Sequence, residues 1–463
     1  MKSNEFFTEP QKVDVIQTKH RKIITDIPPK ETCKVLKTLQ EFEPDSMQRE
    51  LPVLWDHALE YQIFDSSGNC WIDFSSGIFV TNVGHGNSKV VNALKECLEK
   101  PLLHNYYFPS IIRSKLVKKI IKISPDYIDT VFLLTTGAEA TECALKITRI
   151  NGKKINEKKT GIISFNGSMH GKTLGALMMG GKPKEKHWVG FEDPYIYHIP
   201  FPFSETCPWK INDEHECDAS CFRKSINELK NKIDFSAIAG FMIESYQGWG
   251  AMFYPPSYIS ELKKWCKENN VLVIFDEIQA GFGRTGKLFA FEHYGIEPDI
   301  ICCGKGISSS LPLSAVLSRR ELLNIDPSLN STHGGNPLCC AATLASLEVI
   351  EEQNLVSESE RKGKLMFAQL QKLQNKYKKI IQTIQGKGLV AAIHIIDPIT
   401  NQLDSSKGDE IIEKCMQKGL LMVRTGSGTI KIGPPLIIPD DAILEGISVI
   451  DEVLDEIYLH TAN

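Results

Sequence analysis

Two acidic side chains and one lysine follow apolar runs in an arrangement that could do chemistry. Asp276 and Glu277 come directly after VLVIF, a run typical of a strand buried on both faces. An ionised carboxylate there is costly unless a cation meets it. Lys305 follows the apolar run IICC and lies between Gly304 and Gly306, which leave its amine accessible. A desolvated lysine amine of this kind can form a Schiff base with an aldehyde.

A third group of residues is suited to binding a phosphate. Gly137 and Ala138 lie between the strand-like run TVFLL and a helical pattern whose first turn carries Glu139 and Glu142. Small residues there leave backbone N–H groups open at a helix N-terminus, which favours a phosphate. The alternative is a tight strand-to-helix turn with favourable first-turn acids and a Glu142 to Lys146 pair.

Together, these three features predict a cofactor. A lysine amine, a phosphate cradle and an acid opposite a cationic ring nitrogen are the three anchors of pyridoxal 5'-phosphate (PLP). The cation that faces Asp276 would then be the pyridinium of the cofactor. The carboxylate would keep the ring nitrogen protonated, so that the ring can act as an electron sink.

The segment from Gly167 to Thr173 offers a competing interpretation. It reads G-x-x-x-G-K-T after the apolar run GIISF, one residue short of the nucleotide-binding P-loop. Because a P-loop must be long enough to wrap its amides around the phosphates, the missing residue disfavours a nucleotide-hydrolysing enzyme.

Strand-like and helical segments must position these groups, and they alternate from about residue 130 to 320. TVFLL precedes EATECALKITRI, and IAGFMIES precedes the amphipathic SYISELKKWCKEN. This alternation predicts an α/β fold with a mostly parallel sheet and helices on both faces, which binds ligands at the carboxyl ends of its strands. The chain ends differ in character, so we expect an N-terminal segment (1–75) joining a smaller α/β domain, a large domain (76–344) and a C-terminal small domain (345–463).

Composition excludes several classes of protein. The 463 residues carry a net charge of −4, which gives no drive toward nucleic acid or an anionic membrane. No apolar run has the length of a signal peptide or a membrane span, so we expect a cytoplasmic protein. The 13 cysteines are an odd number and do not resemble a disulfide framework.

One polar insertion raises the question of a metal. Cys207, His215, Cys217 and Cys221 fall within fifteen residues. Their spacing does not match the common zinc patterns with paired C-x(2–4)-C knuckles. The sequence therefore favours free thiols in a surface loop and predicts no metal site.

The longest of these segments resembles the class III aminotransferases, which are PLP-dependent enzymes of fold type I. IFDEIQAGFGRTGKLFAFEHYGIEPDIICCGKGISSSLPLSAV is close to that family's signature, including the 29 positions from Asp276 to Lys305. The resemblance covers nearly the whole chain. It implies Lys305 as the lysine that binds PLP covalently, Asp276 as the partner of the ring nitrogen, and Gln279 near the phenolic oxygen of the cofactor.

Two further segments extend the resemblance. STHGGNPLCCAA is similar to the family's T-[FY]-G-G-N-P segment, which implies that Thr332 binds the phosphate from the partner subunit of a homodimer. The family pattern also assigns Gly137 and Ala138 to the phosphate. FDSSGNCWIDFSSGIFVTNVGHGNS looks like the family's N-terminal D-x-x-G-N-x-[YW]-x-D-F, followed by a G-H motif around His85.

Departures from the family pattern lie on both faces of the implied cofactor site. Met169 precedes His170 and Gly171 where the family usually has an aromatic residue stacked on the cofactor, and a thioether can still cover a ring face. Trp249 and Lys431 occupy the positions of a Glu and an Arg that, in many members, pair with each other and release the Arg to bind a substrate carboxylate.

A lysine lacks the bidentate fork of arginine, so carboxylate recognition is weaker here or moves to another residue, for which Arg424 is a candidate. These changes favour a donor without an α-carboxylate.

The function predicted from these residues is PLP-dependent aminotransfer from an amine or amino acid to a 2-oxo acid, either 2-oxoglutarate or pyruvate. A PLP-dependent isomerase, epimerase or lyase on the same fold is the main alternative, because it would use the same cofactor anchors. A protein that binds PLP or a nucleotide without turnover is the alternative outside enzymes.

Overall fold

The alternating segments in the middle of the chain form one seven-stranded sheet in a computed structural model, which describes residues 9–210 and 215–458. All neighbouring strands are parallel except Ser314–Ser318, which is antiparallel to both of its neighbours. The predicted mostly parallel sheet is thus confirmed. Across the sheet, the strands are Thr130–Leu134, Ser314–Ser318, Ile300–Cys303, Leu272–Asp276, Ile238–Glu244, Gly161–Phe165 and Ile196–Ile199.

Amphipathic helices connect and cover these strands. The predicted helical segments EATECALKITRI and SYISELKKWCKEN lie in Gly137–Ile155 and Pro256–Glu268. The remaining right-handed α-helices of the described residues are Lys30–Phe42, Ser88–Glu99, Ile111–Ile123, Leu174–Met179, Ala219–Lys230, Arg320–Leu323, Pro337–Glu352, Leu355–Lys376, Ser405–Gln417 and Asp440–Tyr458. No helix in the described part of the chain is long and apolar enough to cross a membrane.

The two chain ends build two smaller sheets. The first pairs N-terminal strands with the C-terminal Leu420–Leu421, which runs parallel to Cys70–Asp73. Its other strands are Ile16–Gln17, Lys22–Ile23, His57–Leu59 and Gln62–Phe64. The second sheet contains only C-terminal strands, which are Ile381–Lys387, Val390–Ile395, Thr429–Ile432 and Val423–Arg424.

The proposed division into domains stays a prediction. The strand pairing joins the N-terminal segment to the C-terminal one, which supports it. The boundary after residue 344, however, falls inside the helix Pro337–Glu352. The next helix, Leu355–Lys376, begins only after Asn354 adopts the left-handed conformation, so residues 353–354 are a better place for this boundary.

Candidate active site

A cavity of about 450 Å³ opens at the carboxyl ends of the central strands. This is where an open, mostly parallel sheet binds ligands. Ten of the twelve site residues predicted from the sequence line it, while Arg424 and Thr332 do not. The ten are Gly137, Ala138, Met169, His170, Gly171, Trp249, Asp276, Gln279, Lys305 and Lys431.

Asp276 ends the strand Leu272–Asp276 and is buried at the floor of the cavity. One carboxylate oxygen lies 2.9 Å from Nδ1 of His170, and the other accepts a hydrogen bond from the backbone N–H of Ile278 at 3.1 Å. On its other side, Nε2 of His170 lies 3.2 Å from Oγ of Ser164. The histidine and the amide fix the orientation of the carboxylate.

Lys305 begins a single 3₁₀ turn directly after the strand Ile300–Cys303 and has a φ of 42°. A non-glycine residue in this conformation is strained, and such strain clusters at functional sites. Burial lowers the pKa of Lys305, although Asp276 and Glu244 oppose the shift. The low pKa increases the neutral, nucleophilic fraction of the amine.

Gly137 and Ala138 form the first turn of the helix Gly137–Ile155, so their N–H groups lie at its N-terminus. The helix is closed by a capping box, in which Thr136 and Glu139 exchange side-chain to backbone hydrogen bonds. A Cβ atom on Gly137 would lie only 3.0 Å from Ile278. A larger residue at this position would therefore require the side chain of Ile278 to shift.

The alternative interpretation of this turn is wrong in one respect, because Glu142 does not pair with Lys146. Its carboxylate accepts hydrogen bonds from the hydroxyl of Thr173 at 2.7 Å and from the N–H of Gly175 at 2.8 Å. Lys146 forms an ion pair with Asp326 instead. A carboxylate thus occupies the helix start after the G-x-x-x-G-K-T segment, which is incompatible with phosphate binding there.

Glu277 is buried, and no cation among the described residues pairs with it, contrary to the expectation from the sequence. Its carboxylate accepts hydrogen bonds from the hydroxyl of Ser245 at 2.5 Å and from the N–H groups of Ala290 at 2.9 Å and Phe291 at 2.8 Å. Burial raises its pKa to about 7. Backbone and hydroxyl donors replace the expected cation, because they also satisfy a buried carboxylate.

Glu244 is a cavity residue that the sequence analysis missed. It ends the strand Ile238–Glu244, next to Asp276 in the sheet, and its carboxylate accepts hydrogen bonds from the N–H groups of Gly248 and Met169. Burial raises its pKa to about 7. The signal was present in the sequence, because Glu244 is an acid at the end of a buried strand, as Asp276 is.

Lys431 lies in the cavity and is buried. Its ammonium group donates to Oε1 of Gln279 at 2.6 Å and lies 4.2 Å from the centre of the Phe79 ring. Burial, and then the nearby Lys305, lower its pKa to about 7. Tyr246 also donates to Oε1 of Gln279, at 3.1 Å, so two donors bind the oxygen of this amide.

The other predicted substrate residues lie in different surroundings. Trp249 lines the cavity, and its indole N–H donates to Oε1 of Gln247 at 2.9 Å. Arg424 forms a two-bond ion pair with Asp409, at 2.7 and 2.6 Å, and does not line the cavity. Thr332 is exposed on this chain.

The N-terminal motif shapes a wall of the cavity. Asp73 lies 2.7 Å from Nε2 of His85 and also accepts hydrogen bonds from Ser75, which joins the two halves of the motif. These contacts anchor a turn at residues 76–79, all of which have positive φ. The turn carries Ile78 and Phe79 into the cavity.

The donor set of the cavity fits PLP. It offers an amine of lowered pKa, a buried carboxylate held by His170, and open amides at a helix start. Gly171 packs so closely that a Cβ atom there would lie 2.8 Å from Cβ of Ala138. The described residues gather no set of metal ligands in this cavity.

Known proteins are similar to this chain over most of its length. The model of the family Aminotransferase class-III matches residues 45–454. The acetylornithine aminotransferase of Methanocaldococcus jannaschii is 34% identical over 88% of this chain and 94% of its own length. The 4-aminobutyrate aminotransferase of Mycobacterium leprae is 30% identical over 94% of this chain and 98% of its own length.

A solved structure agrees with these relatives. The PLP-bound amine transaminase from an uncultivated Pseudomonas species has a TM-score of 0.80 and is 25% identical, covering 87% of this chain and 95% of its own. The fold type I prediction is confirmed. This chain belongs to the class III aminotransferase family, and it is a PLP-dependent enzyme that moves an amino group from an amine or amino acid to a 2-oxo acid.

Proposed function

We propose that the donor of this aminotransferase is an amine on a terminal carbon, with any carboxylate remote from it. The observation that carries this proposal is the substrate side of the cavity. The ammonium of Lys431 lies there among the aromatic side chains of Phe79, Tyr246 and Trp249, and Lys182 also lines the cavity. Among the described residues, no arginine lines the cavity to hold an α-carboxylate with two hydrogen bonds.

The roles of the cofactor-side residues are part of the same proposal. Bound PLP supplies an aldehyde and an electron-withdrawing ring. Lys305 would hold the cofactor covalently. Once the amine of the donor has displaced it, the freed amine of Lys305 would take up the proton from the amine-bearing carbon of the donor. Asp276, oriented by His170, would keep the ring nitrogen protonated, and Gln279 would donate to the phenolic oxygen. Gly137 and Ala138 bind the phosphate through their N–H groups.

Met169 and Gly171 have supporting roles in this proposal. Both residues flank His170, and the thioether of Met169 would cover one face of the cofactor ring. The N–H of Met169 donates to Glu244 at 3.3 Å, so Glu244 acts as a positioning residue for this loop. The close contact between Gly171 and Ala138 brings the loop against the phosphate cradle.

The relatives support a terminal amine. The compound named for the Mycobacterium leprae enzyme, 4-aminobutyrate, carries its amine on the carbon most distant from its carboxylate. Lys431 is well suited to such a carboxylate because its ammonium group is one point charge on a flexible chain. Arg424 does not take this role here, because Asp409 already holds its guanidinium.

A homodimer with active sites at the subunit interface is also proposed. Thr332 reaches no cofactor cavity on its own chain, so its predicted phosphate contact requires a second subunit. The loop of Thr332 lies against an exposed apolar segment, since the N–H of Ser331 donates to the hydroxyl of Tyr107 at 2.6 Å. This segment exposes large apolar side chains, which mark an interaction site. They are Leu102, Leu103, Tyr106, Tyr107, Phe108 and Ile111.

A cytoplasmic location stays a prediction. All 13 cysteines lie in the described residues and are free thiols. Free thiols at this number are typical of a reducing compartment, which supports the prediction.

A spectroscopic amine screen tests the proposed donor. Purified enzyme with PLP is mixed with single amines, and the cofactor absorbance is followed until it reaches the aminated form. Pyruvate or 2-oxoglutarate is then added. We expect 4-aminobutyrate or another terminal amine to give a full change, and one of the oxo acids to reverse it.

Other outcomes would favour the alternatives. Bleaching without return, together with release of ammonia, would indicate a lyase. A product that retains its amino group at a new position or with inverted configuration would indicate an isomerase or epimerase. Mixing Lys305→Ala chains with Thr332→Ala chains tests the dimer, because only a shared site would restore activity above that of either variant alone.

A further inference from the structure

Four potential metal ligands meet in the insertion that follows the strand Ile196–Ile199. Nε2 of His215 lies 3.2 Å from Sγ of Cys207, 3.7 Å from Sγ of Cys221 and 3.9 Å from Sγ of Cys217. The sulfur atoms of Cys207 and Cys221 are 4.0 Å apart. All four ligand atoms lie within 4.8 Å of one another.

These distances match tetrahedral zinc. Zinc binds sulfur at about 2.3 Å and histidine nitrogen at about 2.0–2.1 Å, so a tetrahedral site separates two sulfurs by about 3.8 Å and a sulfur from a nitrogen by about 3.6 Å. The three nitrogen–sulfur separations scatter around the second value, and the separation of Cys207 and Cys221 lies close to the first. Because all four ligand atoms lie within 4.8 Å of one another, small side-chain shifts would let one ion contact all four.

We propose that Cys207, His215, Cys217 and Cys221 bind one structural zinc ion. Four protein ligands close the coordination shell and leave no open position for a substrate or water, which distinguishes structural from catalytic zinc. The three cysteines are buried and His215 is half-buried. Zinc would bind the sulfurs as thiolates and the imidazole as the neutral base.

The ligands come from the end of a 3₁₀ turn, from the first turn of a helix and from the segment before that helix. Cys207 ends a 3₁₀ turn at Ser204–Thr206, whereas Cys221 lies in the first turn of the helix Ala219–Lys230. Cys217 lies four positions before Cys221, so the pair forms a C-x(3)-C knuckle. The expectation that the spacing matches none of the common zinc patterns is therefore wrong for this pair.

The cluster differs from a disulfide. Bonded sulfurs lie about 2.05 Å apart, whereas those of Cys207 and Cys221 are separated by nearly twice that distance. Elsewhere in residues 9–210 and 215–458, no other group of three or more histidine, cysteine or acidic side chains is gathered for a metal. The grouping is therefore specific to this insertion.

The zinc would stabilise a segment that supports the substrate side of the cavity. Phe203 precedes the cluster, and its ring lies 5.7 Å from that of His394. The ring of His394 is in turn 5.9 Å from that of Trp249, which lines the cavity. Loss of the ion would therefore loosen this wall while leaving Lys305 and Asp276 untouched.

Metal analysis of the purified enzyme tests the proposal directly. We expect one zinc per chain by inductively coupled plasma mass spectrometry after gel filtration. Reduced apoprotein reconstituted with Co²⁺ should give sulfur-to-cobalt charge-transfer bands and the intense visible bands of a tetrahedral site. The zinc content and the cobalt bands should both be lost in Cys217→Ser and in His215→Ala.

Two further variants control for folding and for adventitious metal. His215→Cys preserves four ligands and should retain zinc, whereas Cys97→Ser removes a thiol outside the cluster and should change nothing. The proposal is overturned if the wild type neither contains zinc nor binds added Zn²⁺ or Co²⁺. It is equally overturned if the metal content of Cys217→Ser equals that of the wild type, or if Cys207 and Cys221 are isolated as a disulfide.

Discussion

The cofactor side and the substrate side of the cavity differ in how closely their residues keep the family pattern. On the cofactor side, Lys305, Asp276 and Gly137 keep the family's spacing, and each lies at the end of a strand of the central sheet. On the substrate side, Trp249 and Lys431 depart from the family, and Lys431 comes from a C-terminal strand. The kept residues thus all lie at the ends of central strands, whereas the departures involve Trp249, which follows the central strand Ile238–Glu244, and Lys431 from the C-terminal sheet.

The largest expected effect is on the cofactor side. Lys305→Ala should lower kcat by about 10⁴-fold, since it removes the group that we propose as nucleophile and base. The variant should also lose the borohydride-stable cofactor label. Lys172→Ala changes an exposed lysine of the neighbouring loop and serves as the control. Labelling of Lys305→Ala at the level of the wild type would assign this role to another lysine.

The sequence predicted that the residues of this side meet in one cavity, because its signals there are local. Buried strands, small residues and the acid or lysine that follows are neighbours along the chain, as at Ile300–Cys303 and Lys305. Other contacts could not be predicted from local patterns. Arg424 pairs with Asp409 from a different element, and Glu277 accepts hydrogen bonds from backbone outside the regular strands. The periodicity of apolar residues along the chain does not indicate either contact. The contact between Lys431 and Gln279 spans 152 positions and needed the fold.

Asp276→Asn should give the second largest effect. We expect PLP to remain bound and kcat to fall by about 10³-fold, or ~4 kcal/mol of transition-state stabilisation. The matched variant Glu277→Gln changes the adjacent buried acid, which binds Ser245, Ala290 and Phe291. It should lower the thermal midpoint, at a cost of about 1–3 kcal/mol, with a much smaller change in kcat. Equal kinetic losses in both variants would show that Asp276 has no special role.

On the substrate side, the expected changes are about tenfold. Trp249→Glu with Lys431→Arg restores the family pattern and should raise kcat/KM for glutamate more than the sum of the single changes. A double-mutant cycle on kcat/KM for glutamate and 4-aminobutyrate measures the coupling. Additivity within about 0.5 kcal/mol would mean that the two residues bind substrate independently.

The pH dependence of donor choice should reveal the charge of Lys431. With a pKa of about 7, its protonated fraction falls from about 0.9 at one pH unit below this value to about 0.1 at one unit above. The ratio of kcat/KM for 4-aminobutyrate to that for butylamine should therefore fall as pH rises through about 7. Lys431→Arg should abolish the dependence, since arginine stays charged. A ratio that is flat in the wild type would contradict carboxylate binding by Lys431.

The smallest effect is expected at Arg424. Because Asp409 holds its guanidinium outside the cavity, Arg424→Met should change kcat/KM for 4-aminobutyrate by no more than about twofold. Steady-state kinetics beside Lys431→Met, which should cost about tenfold, gives the contrast. A larger loss for Arg424→Met would move carboxylate recognition back to this arginine.

The most direct test of the whole account compares two donors in a single turnover. Enzyme with bound PLP is mixed with excess 4-aminobutyrate or L-glutamate, and the conversion of the cofactor to its aminated form is followed by stopped-flow absorbance. The account predicts that both donors react but that 4-aminobutyrate has a second-order rate constant at least about tenfold higher, ~1.4 kcal/mol. A faster reaction with L-glutamate would contradict the proposal that this cavity selects a terminal amine.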